Sequence, residues 1–390
     1  MLKGIKVRLY PNKLQEQILI NHFGCCRKIF NVGLEYKIWL YKTYEKSISK
    51  YDMTNQLPDI RKEFNYMNNC KAEVLQNSLD GLESAFTNFF KHGFGFPKYK
   101  NKHDKQSFAS KQGLFIKENK LIFLKEKIKF NCSNKDLNLL NSKDLKIKRI
   151  IYSKTKTNKY FASILIEDEI TNYKLKETTN EIGIDLGLKV FLATSDGEII
   201  DNPKFHKKAE RKLKRYQRKL SKKKNKNKNW KKSNNYKKLK LKVAKQHEKV
   251  RNQKEHFQHT ISKKIVNDNQ VIYLENLNIS GMLKNHKLAK AIQNISWGSF
   301  VGKLKYKCNF YNREVYQIDR FYPSSKTCNK CGYKKEDLTL KDRIFVCDNC
   351  NYTEDRDLNA SLNILKEGKK QLTKLRIENK VGMNLPDLAA

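Results

Sequence analysis

Residues 3–9 alternate apolar and charged side chains and stop at Pro11, the pattern of a short half-buried strand and not of a signal peptide. The period then lengthens. Residues 14–44 read as a helix, and Leu75, Leu79, Leu82, Phe86 and Phe89 recur at helical spacing, as a helix facing a core would place them. Gly95, Pro97 and a dense run of Lys break that helix, so 93–105 is expected to be a basic loop. Short strands are predicted over 114–116, 121–124, 147–152 and 160–166, the last two joined by a turn at 155–158. Together with the first strand they could form a small β-barrel carrying the helices as an insertion.

A second unit begins near Glu181. Three strands are predicted at 182–186, 190–194 and 198–200, with Asp196-Gly197 turning the last pair. The stretch 204–264 is Lys-rich and helical by propensity, interrupted near 225–235, as in a helical hairpin with a polar tip. A strand at 271–277, a helix marked by Trp297, Phe300, Leu304 and Cys308, and a strand at 315–321 follow. Leu358, Leu362 and Leu365 mark a last helix, whereas 369–390 has weak periodicity and is expected to be a mobile tail.

Length and charge narrow the class. The 390 residues suffice for two or three domains. With 82 Lys and Arg against 40 Asp and Glu the formal net charge is +42, which repels itself unless a polyanion is bound. Nucleic acid is the partner such a surface rewards. Anionic membrane is the competing reading, but no apolar run of spanning length is present. Of 9 Cys, Cys25, Cys26, Cys70, Cys132 and Cys308 are scattered, as reduced core residues of a cytoplasmic protein would be.

Three acids fit nuclease chemistry. Hydrolysis of a phosphodiester by two metal ions needs carboxylates from different elements converging on one small volume. In Ile182-Gly183-Ile184-Asp185-Leu186-Gly187, alternation turns the apolar residues to the core and leaves Asp185 beside two glycines. Those glycines are expected to leave room for metal and phosphate. Glu275 ends the apolar run Val271-Ile272-Tyr273-Leu274 in the same way. An acid in such a strand costs stability unless it is paired or metal-bound, although a solvent-facing strand end is the plain alternative. Asp357 supplies a third acid in the first turn of the last helix, with Asp355 better placed as its N-cap. The expected ions are Mg²⁺ or Mn²⁺.

Between the last strand and that helix lies a cysteine insert. Cys328-Asn-Lys-Cys331 and Cys347-Asp-Asn-Cys350 enclose 15 residues, a zinc-ribbon spacing. Gly332 permits a tight knuckle, and 343–346 reads as the return strand. Four thiolates close the coordination shell, so the Zn²⁺ would be structural. Lys326, Lys330, Lys334, Lys335, Lys341 and Arg343 surround it and could also touch phosphates.

The ordered set Gly-Ile-Asp185-Leu-Gly, Glu275-Asn-Leu, Pro323-Ser-Ser-Lys-Thr-Cys328, the second Cys pair and Asp355-Arg-Asp357-Leu-Asn-Ala resembles the TnpB proteins. These are encoded by small bacterial transposons and are similar to compact type V CRISPR effectors. Arg8-Leu-Tyr-Pro11 and Phe23-Gly-Cys25-Cys26-Arg27 fit the same family, so the likeness covers nearly the whole chain. The resemblance implies an RNA-guided DNA endonuclease with a RuvC, ribonuclease H-like domain whose catalytic acids are Asp185, Glu275 and Asp357, and a zinc ribbon on Cys328, Cys331, Cys347 and Cys350. The implied fold is multidomain α/β: a wedge β-barrel at 1–10 and 106–172 and a helical recognition lobe at 11–105. The nuclease domain would span 173–323 and 352–368, with the ribbon at 324–351. The implied partners are a guide RNA and double-stranded DNA bearing a short flanking motif, with a monomer on its RNA expected. Competing readings are an RNA-guided binder without cleavage, a DNA-binding transposase accessory protein and a plain basic RNA-binding protein.

Overall fold

The structure is a computed structural model that describes residues 2–142, 145–167, 175–226, 233–339 and 342–382. Contacts divide the chain into two units, Met1–Thr171 and Asn172–Ala390.

The first unit opens with β1 (Leu2–Tyr10), whose Ile5, Val7 and Leu9 are buried as alternation requires. Asn12 and Gln15 form a capping box that starts α1 (Lys13–Tyr44). The short helices α2 (Lys50–Asn55) and α3 (Leu57–Glu63) and a 3₁₀ turn lead into α4 (Ala72–His92). Leu75, Leu79 and Leu82 of α4 are buried against α1, and Gly33 permits the close approach. A Cβ there would lie 3.0 Å from both Leu79 and Leu82. The basic loop is tethered: Asn31 donates to the Lys100 carbonyl (2.9 Å) and accepts from its N–H (2.8 Å). Next come β2 (Gln106–Ser110), β3 (Phe115–Lys117), β4 (Lys120–Phe123), β5 (Glu126–Asn131), α5 (Asn134–Leu140), β6 (Lys146–Lys154) and β7 (Tyr160–Glu167). The strands form one antiparallel sheet in the order β2-β6-β7-β1-β5-β4-β3. Among the described residues no ladder joins β2 to β3, so the strand order is open where a closed barrel was expected.

The second unit is built on β8 (Glu181–Asp185), β9 (Val190–Thr194) and β10 (Ile199–Asp201), followed by the helical pair α6 (Phe205–Lys226) and α7 (Asn234–Asp268). The expected polar tip of that pair falls largely outside the described residues. Then come β11 (Val271–Leu274), α8 (Ile279–Met282), α9 (His286–Ile295), α10 (Trp297–Tyr311), β12 (Glu314–Gln317), the hairpin of β13 (Ile344–Val346) with β14 (Thr353–Asp355), and α11 (Arg356–Gly382). The main sheet runs β10-β9-β8-β11-β12, with β8, β11 and β12 parallel and β9 and β10 antiparallel to their neighbours. β11 is buried on both faces. Ile272 and Leu274 join a core with Ile182 and Ile184 of β8, Ile265 and Val266 of α7, and Phe300 and Leu304 of α10. Val271 and Tyr273 face the other way and pack with Ile364 of α11.

Two expectations need correction here. The chain beyond residue 369 is not without order up to Gly382, because α11 continues and is held from outside its own sequence. Gln371 accepts hydrogen bonds from the Tyr316 hydroxyl (3.3 Å) and the Asp319 N–H (3.1 Å), and Arg376 pairs with Glu314 at 2.8 Å. The glycines beside Asp185 do not make room for a ligand either. A Cβ on Gly183 would strike the Ser361 carbonyl and lie 2.7 Å from the Leu365 nitrogen, so its missing side chain admits the backbone of α11. At Gly187 a Cβ would come within 2.8 Å of the Val190 carbonyl across the following turn.

Candidate active site and metal centre

β8 and β11 run parallel, so their C-terminal ends lie together, the edge at which open α/β sheets place their ligands. Asp185 is the last residue of β8, half-buried on the face that Gly183 presents to α11. Glu275 stands one residue beyond the end of β11, also half-buried. Asp357 lies in the first turn of α11, where the helix N-terminus favours negative charge. Burial first, then the charges of Glu275 and Asp357, push the Asp185 carboxyl well above the usual carboxylate range, while the Arg356 guanidinium opposes them. Burial also raises Glu275, against the Ser324 hydroxyl that donates to its carboxylate. Asp357 accepts from Arg356 at 3.2 Å and faces Arg343 at 3.7 Å.

The three acids are therefore neighbours in charge. They are not drawn into one tight ligand cluster, and among the described residues only the four cysteines are. Two of the acids are instead held by partners of their own, Ser324 and Arg356. Asp355 caps α11: its carboxylate accepts the N–H groups of Asp357 (2.9 Å) and Leu358 (3.1 Å).

Cys328, Cys331, Cys347 and Cys350 bring their Sγ atoms within 4.8 Å of one another. Cys328 and Cys350 stand 3.7 Å apart, and Cys331 and Cys347 3.5 Å. A tetrahedral site with Zn–S bonds of about 2.3 Å has edges of about 3.8 Å, so the spacing fits zinc. Both knuckles are built alike. Cys328 N–H donates to Tyr333 O (2.8 Å) and Cys347 N–H to Tyr352 O (2.9 Å). Gly332 (φ 79°) and Asn351 (φ 56°) take the left-handed position in the two turns. The backbone N–H of Tyr333 first, then the Asn349 side chain, hold the Cys331 thiol down to about 6, so it is ready to bind as thiolate. Phe345 fills the small core beneath. Several surrounding cations are engaged within the insert: Lys334 pairs with Glu336 (2.8 Å), Lys335 with Asp348 (2.5 Å), and Lys326 donates to the Glu336 carbonyl (2.7 Å). Lys341 lies outside the described residues.

The sequence reading gave no role to the residues that join these two sites. Asn359 and Asn363 are buried one turn apart on α11. Asn359 donates to Thr327 O (2.8 Å) and accepts from the Asn329 N–H (3.0 Å). Asn363 donates to Ser324 O (2.8 Å) and Thr327 O (2.5 Å). They fasten the turn that carries Ser324 to Glu275 and leads into Cys328. Their signal in the sequence was two amides at i and i+4 on a helix face otherwise turned to the core.

Three family profiles match in chain order: a helix-turn-helix domain over 1–46, the family described as "Probable transposase" over 163–286, and the Cas12f1-like TNB domain over 297–364. The first description is not matched by local structure, since those residues form β1 and the single long helix α1. A Streptomyces pristinaespiralis protein named provisionally as an RNA-guided DNA endonuclease is 32% identical over 373 residues, covering 94% of this chain and 89% of its own. The TnpB-like protein L770 of Acanthamoeba polyphaga mimivirus is 25% identical over 406 residues, covering 94% of this chain and 73% of the viral one. Among solved structures, Cas12f1 in its cryo-EM complex with sgRNA and target DNA aligns with a TM-score of 0.50 at 15% identity, over 93% of this chain and 98% of that one. That is a likeness of α/β fold. An α/β protein with paired carboxylates at the strand ends and a four-cysteine insert is the class defined here. The chain belongs to the TnpB family.

Proposed function

We propose that this chain is an RNA-guided DNA endonuclease of transposon origin. The observation that carries the reading is the placement of Asp185 and Glu275 at the adjoining C-terminal ends of the parallel strands β8 and β11, with Asp357 in the first turn of the helix packed on β8, and we read this unit as a RuvC, ribonuclease H-like domain. An acid driven toward protonation first by desolvation and then by two neighbouring carboxylates is a site that a divalent cation relieves. Asp185, Glu275 and Asp357 offer hard oxygen donors, the set that suits Mg²⁺ or Mn²⁺. Ions bound there would polarise the scissile phosphodiester in two-metal hydrolysis. The chain's own residues do the positioning: Ser324 fixes the Glu275 carboxylate, Arg356 fixes Asp357, and Asp355 fixes the start of the helix that bears it.

The four cysteines are proposed to hold one structural Zn²⁺, which ties the turn bearing Ser324 to the start of α11. The first unit is proposed as the wedge and recognition lobe that holds the RNA scaffold and reads a short motif beside the target. The net charge of +42 supports two nucleic-acid partners, and among the described residues no helix is long and apolar enough to cross a membrane.

Metal-held carboxylates grip phosphates, which look alike at every step, so sequence choice must come from elsewhere. A bound RNA is the economical source. Cleavage of two unrelated DNA targets by one protein preparation with two RNAs that differ only in their guide segment tests this. The cut should move with the guide. A cut that stays in place, or that proceeds equally without RNA, would favour the transposase reading, while guide-dependent binding with intact DNA would favour a binder.

A further inference from the structure

Away from the carboxylates, the second unit has an open pocket of about 500 Å³ where α6, α7 and α9 meet beside β9. That size lies within the roughly 300–1,000 Å³ of small-ligand sites. Its rim is cationic. Lys204, Lys207, Arg251 and Lys287 line it, and among the described residues none of the four has a carboxylate partner. The one acid in the lining, Glu210, is already bridged by Lys290 (2.7 Å) and Lys214 (3.1 Å). The floor is aromatic. Phe205 and Phe257 lie edge to face at 6.0 Å, both half-exposed, and Phe257 meets the buried Phe191 of the lining edge to face at 5.0 Å. Between rim and floor, His206 lines the pocket with a buried Nδ1 that has no hydrogen-bond partner.

An occupant must satisfy both walls. Inorganic phosphate would use the cations and leave the rings idle, and an acidic peptide offers no flat face to Phe205 or Phe257. Paired bases cannot enter, because their faces are covered by their neighbours. A single nucleotide out of its stack has a phosphate for the rim and a π-face for the floor, the combination on which single-strand binders rely. We infer that this pocket takes one unstacked nucleotide of single-stranded RNA, its base against Phe205 and Phe257 and its phosphate among Lys204, Lys207, Arg251 and Lys287. Loops and bulges of a folded RNA present such nucleotides whether or not a target is bound, whereas DNA offers them only on the strand displaced by guide pairing. The choice of RNA over DNA rests on the RNA-guided reading, but the pocket itself does not.

Two measurements separate those dependences. Ultraviolet crosslinking of the full protein with its co-purified RNA, read by mass spectrometry, should leave a ribonucleotide adduct on the peptide of Phe205 or of Phe257. Adducts on other basic segments with none on these two would overturn the pocket. A deoxyribonucleotide adduct there, formed only when DNA is added, would overturn the assignment to RNA. In the second measurement, AMP is titrated into RNA-stripped full-length protein by ligand-observed NMR. Saturation should be strongest at the base protons, and affinity should fall at least fivefold in both Arg251→Glu and Phe205→Ala. Equal AMP affinity in wild type and both variants, or full competition by inorganic phosphate at the same concentration, would show that no nucleotide site exists. Because AMP binding needs no guide, its loss would count against the pocket alone. A preparation that binds AMP but never carries RNA would count against the RNA-guided reading and the RNA assignment.

Discussion

Gly183 of β8 and Ser361 of α11 approach closely, and a Cβ on the glycine would clash with the Ser361 carbonyl oxygen. That contact sets how closely the helix bearing Asp357 lies over the strand bearing Asp185. A second glycine, Gly368, repeats it one element over, where a Cβ would run into the Tyr273 ring on β11. Gly183→Ala must push α11 away, with an overpacking cost of about 1–3 kcal/mol. Urea unfolding should show that loss, and cleavage should fall further than stability explains, because two acids separate. Gly81→Ala on α4 is the control, since nothing lies within 4 Å of its Cβ, and it should gain up to about 1 kcal/mol. Wild-type stability in Gly183→Ala would refute the close approach.

Ser324 orients Glu275 without being a donor for metal in its own right. Groups in that outer position typically contribute about 10–100-fold to affinity or activity. Ser324→Ala should therefore lower cleavage by roughly tenfold or more with target binding and zinc content unchanged, and Ser324→Thr should restore part of it. Cleavage rates at several Mg²⁺ concentrations check this, since weakened positioning should shift the midpoint upward. A Ser324→Ala protein indistinguishable from wild type at limiting Mg²⁺ would show that the hydroxyl does not matter.

What could be read from the chain alone follows physical lines. Alternation of period 2 located β1 and β8, and a continuous apolar run before the Asp196-Gly197 turn located β9. β5 escaped notice: Ile128 and Phe130 alternate properly, but Lys and Glu crowd the exposed face and no turn residue marks its start at Leu124-Lys125. The acids were visible because a carboxylate at the end of an apolar strand is costly and thus conspicuous. The glycines were misread for a related reason. A sequence shows that a side chain is missing but not whether a ligand or a helix backbone fills the space, and at Gly183 it is the helix. Asn359 and Asn363 received no role because their partners lie in a turn some thirty to forty residues earlier, which two amides at i and i+4 do not identify.

The cysteine insert should carry one zinc per chain. Its small core is Phe345 with Cys328 and Cys347, too little apolar surface to hold a fold by itself. Cys328→Ser or Cys347→Ser should release the ion and loosen the Pro323 to Thr327 turn, so that Glu275 loses Ser324 and cleavage falls with zinc content. Elemental analysis of carefully purified protein is the check, and protein fully active without zinc would refute the structural role.

His22 gives the first unit a pH dependence. Its ring is fully buried between Phe108 and Phe123, and Nδ1 lies 2.8 Å from the Ile18 carbonyl. Burial first pushes its pKa below the ordinary 6.5; the Ile18 carbonyl opposes this, and the charge of Lys71 adds to the lowering. The folded state thus binds its proton more weakly than the unfolded chain. The contribution is complete above pH 6.5 and is lost as pH falls from there through the lowered folded value. Thermal unfolding followed at pH 7.5 and 5.5 should show a loss in wild type that shrinks in His22→Gln. An identical loss in both proteins would assign the effect elsewhere.

Asp355 and Asp357 lie two residues apart and make opposite claims on the first turn of α11. Asp355 accepts two backbone N–H groups, so its carboxylate is used in closing the helix end and points along the chain. Asp357 spends its carboxylate on Arg356 and Arg343 and adds its charge to that of Glu275 around Asp185. One is a cap and the other a member of the acidic group. Replacing a capping Asp with Ala costs about 0.5–2 kcal/mol, so Asp355→Ala should unfold at lower urea while keeping measurable cleavage. Asp357→Ala relieves a crowded acidic site but leaves Arg356 and Arg343 without their carboxylate, so it should stay near wild-type stability, bind target DNA and fail to cut. Asp185→Ala and Glu275→Ala should behave as Asp357→Ala does. The measurement is a pair for each variant, urea midpoint and cleavage rate on the same preparation. The assignment is wrong if Asp357→Ala cuts and Asp355→Ala, still folded, does not, because the helix cap would then be the third catalytic acid.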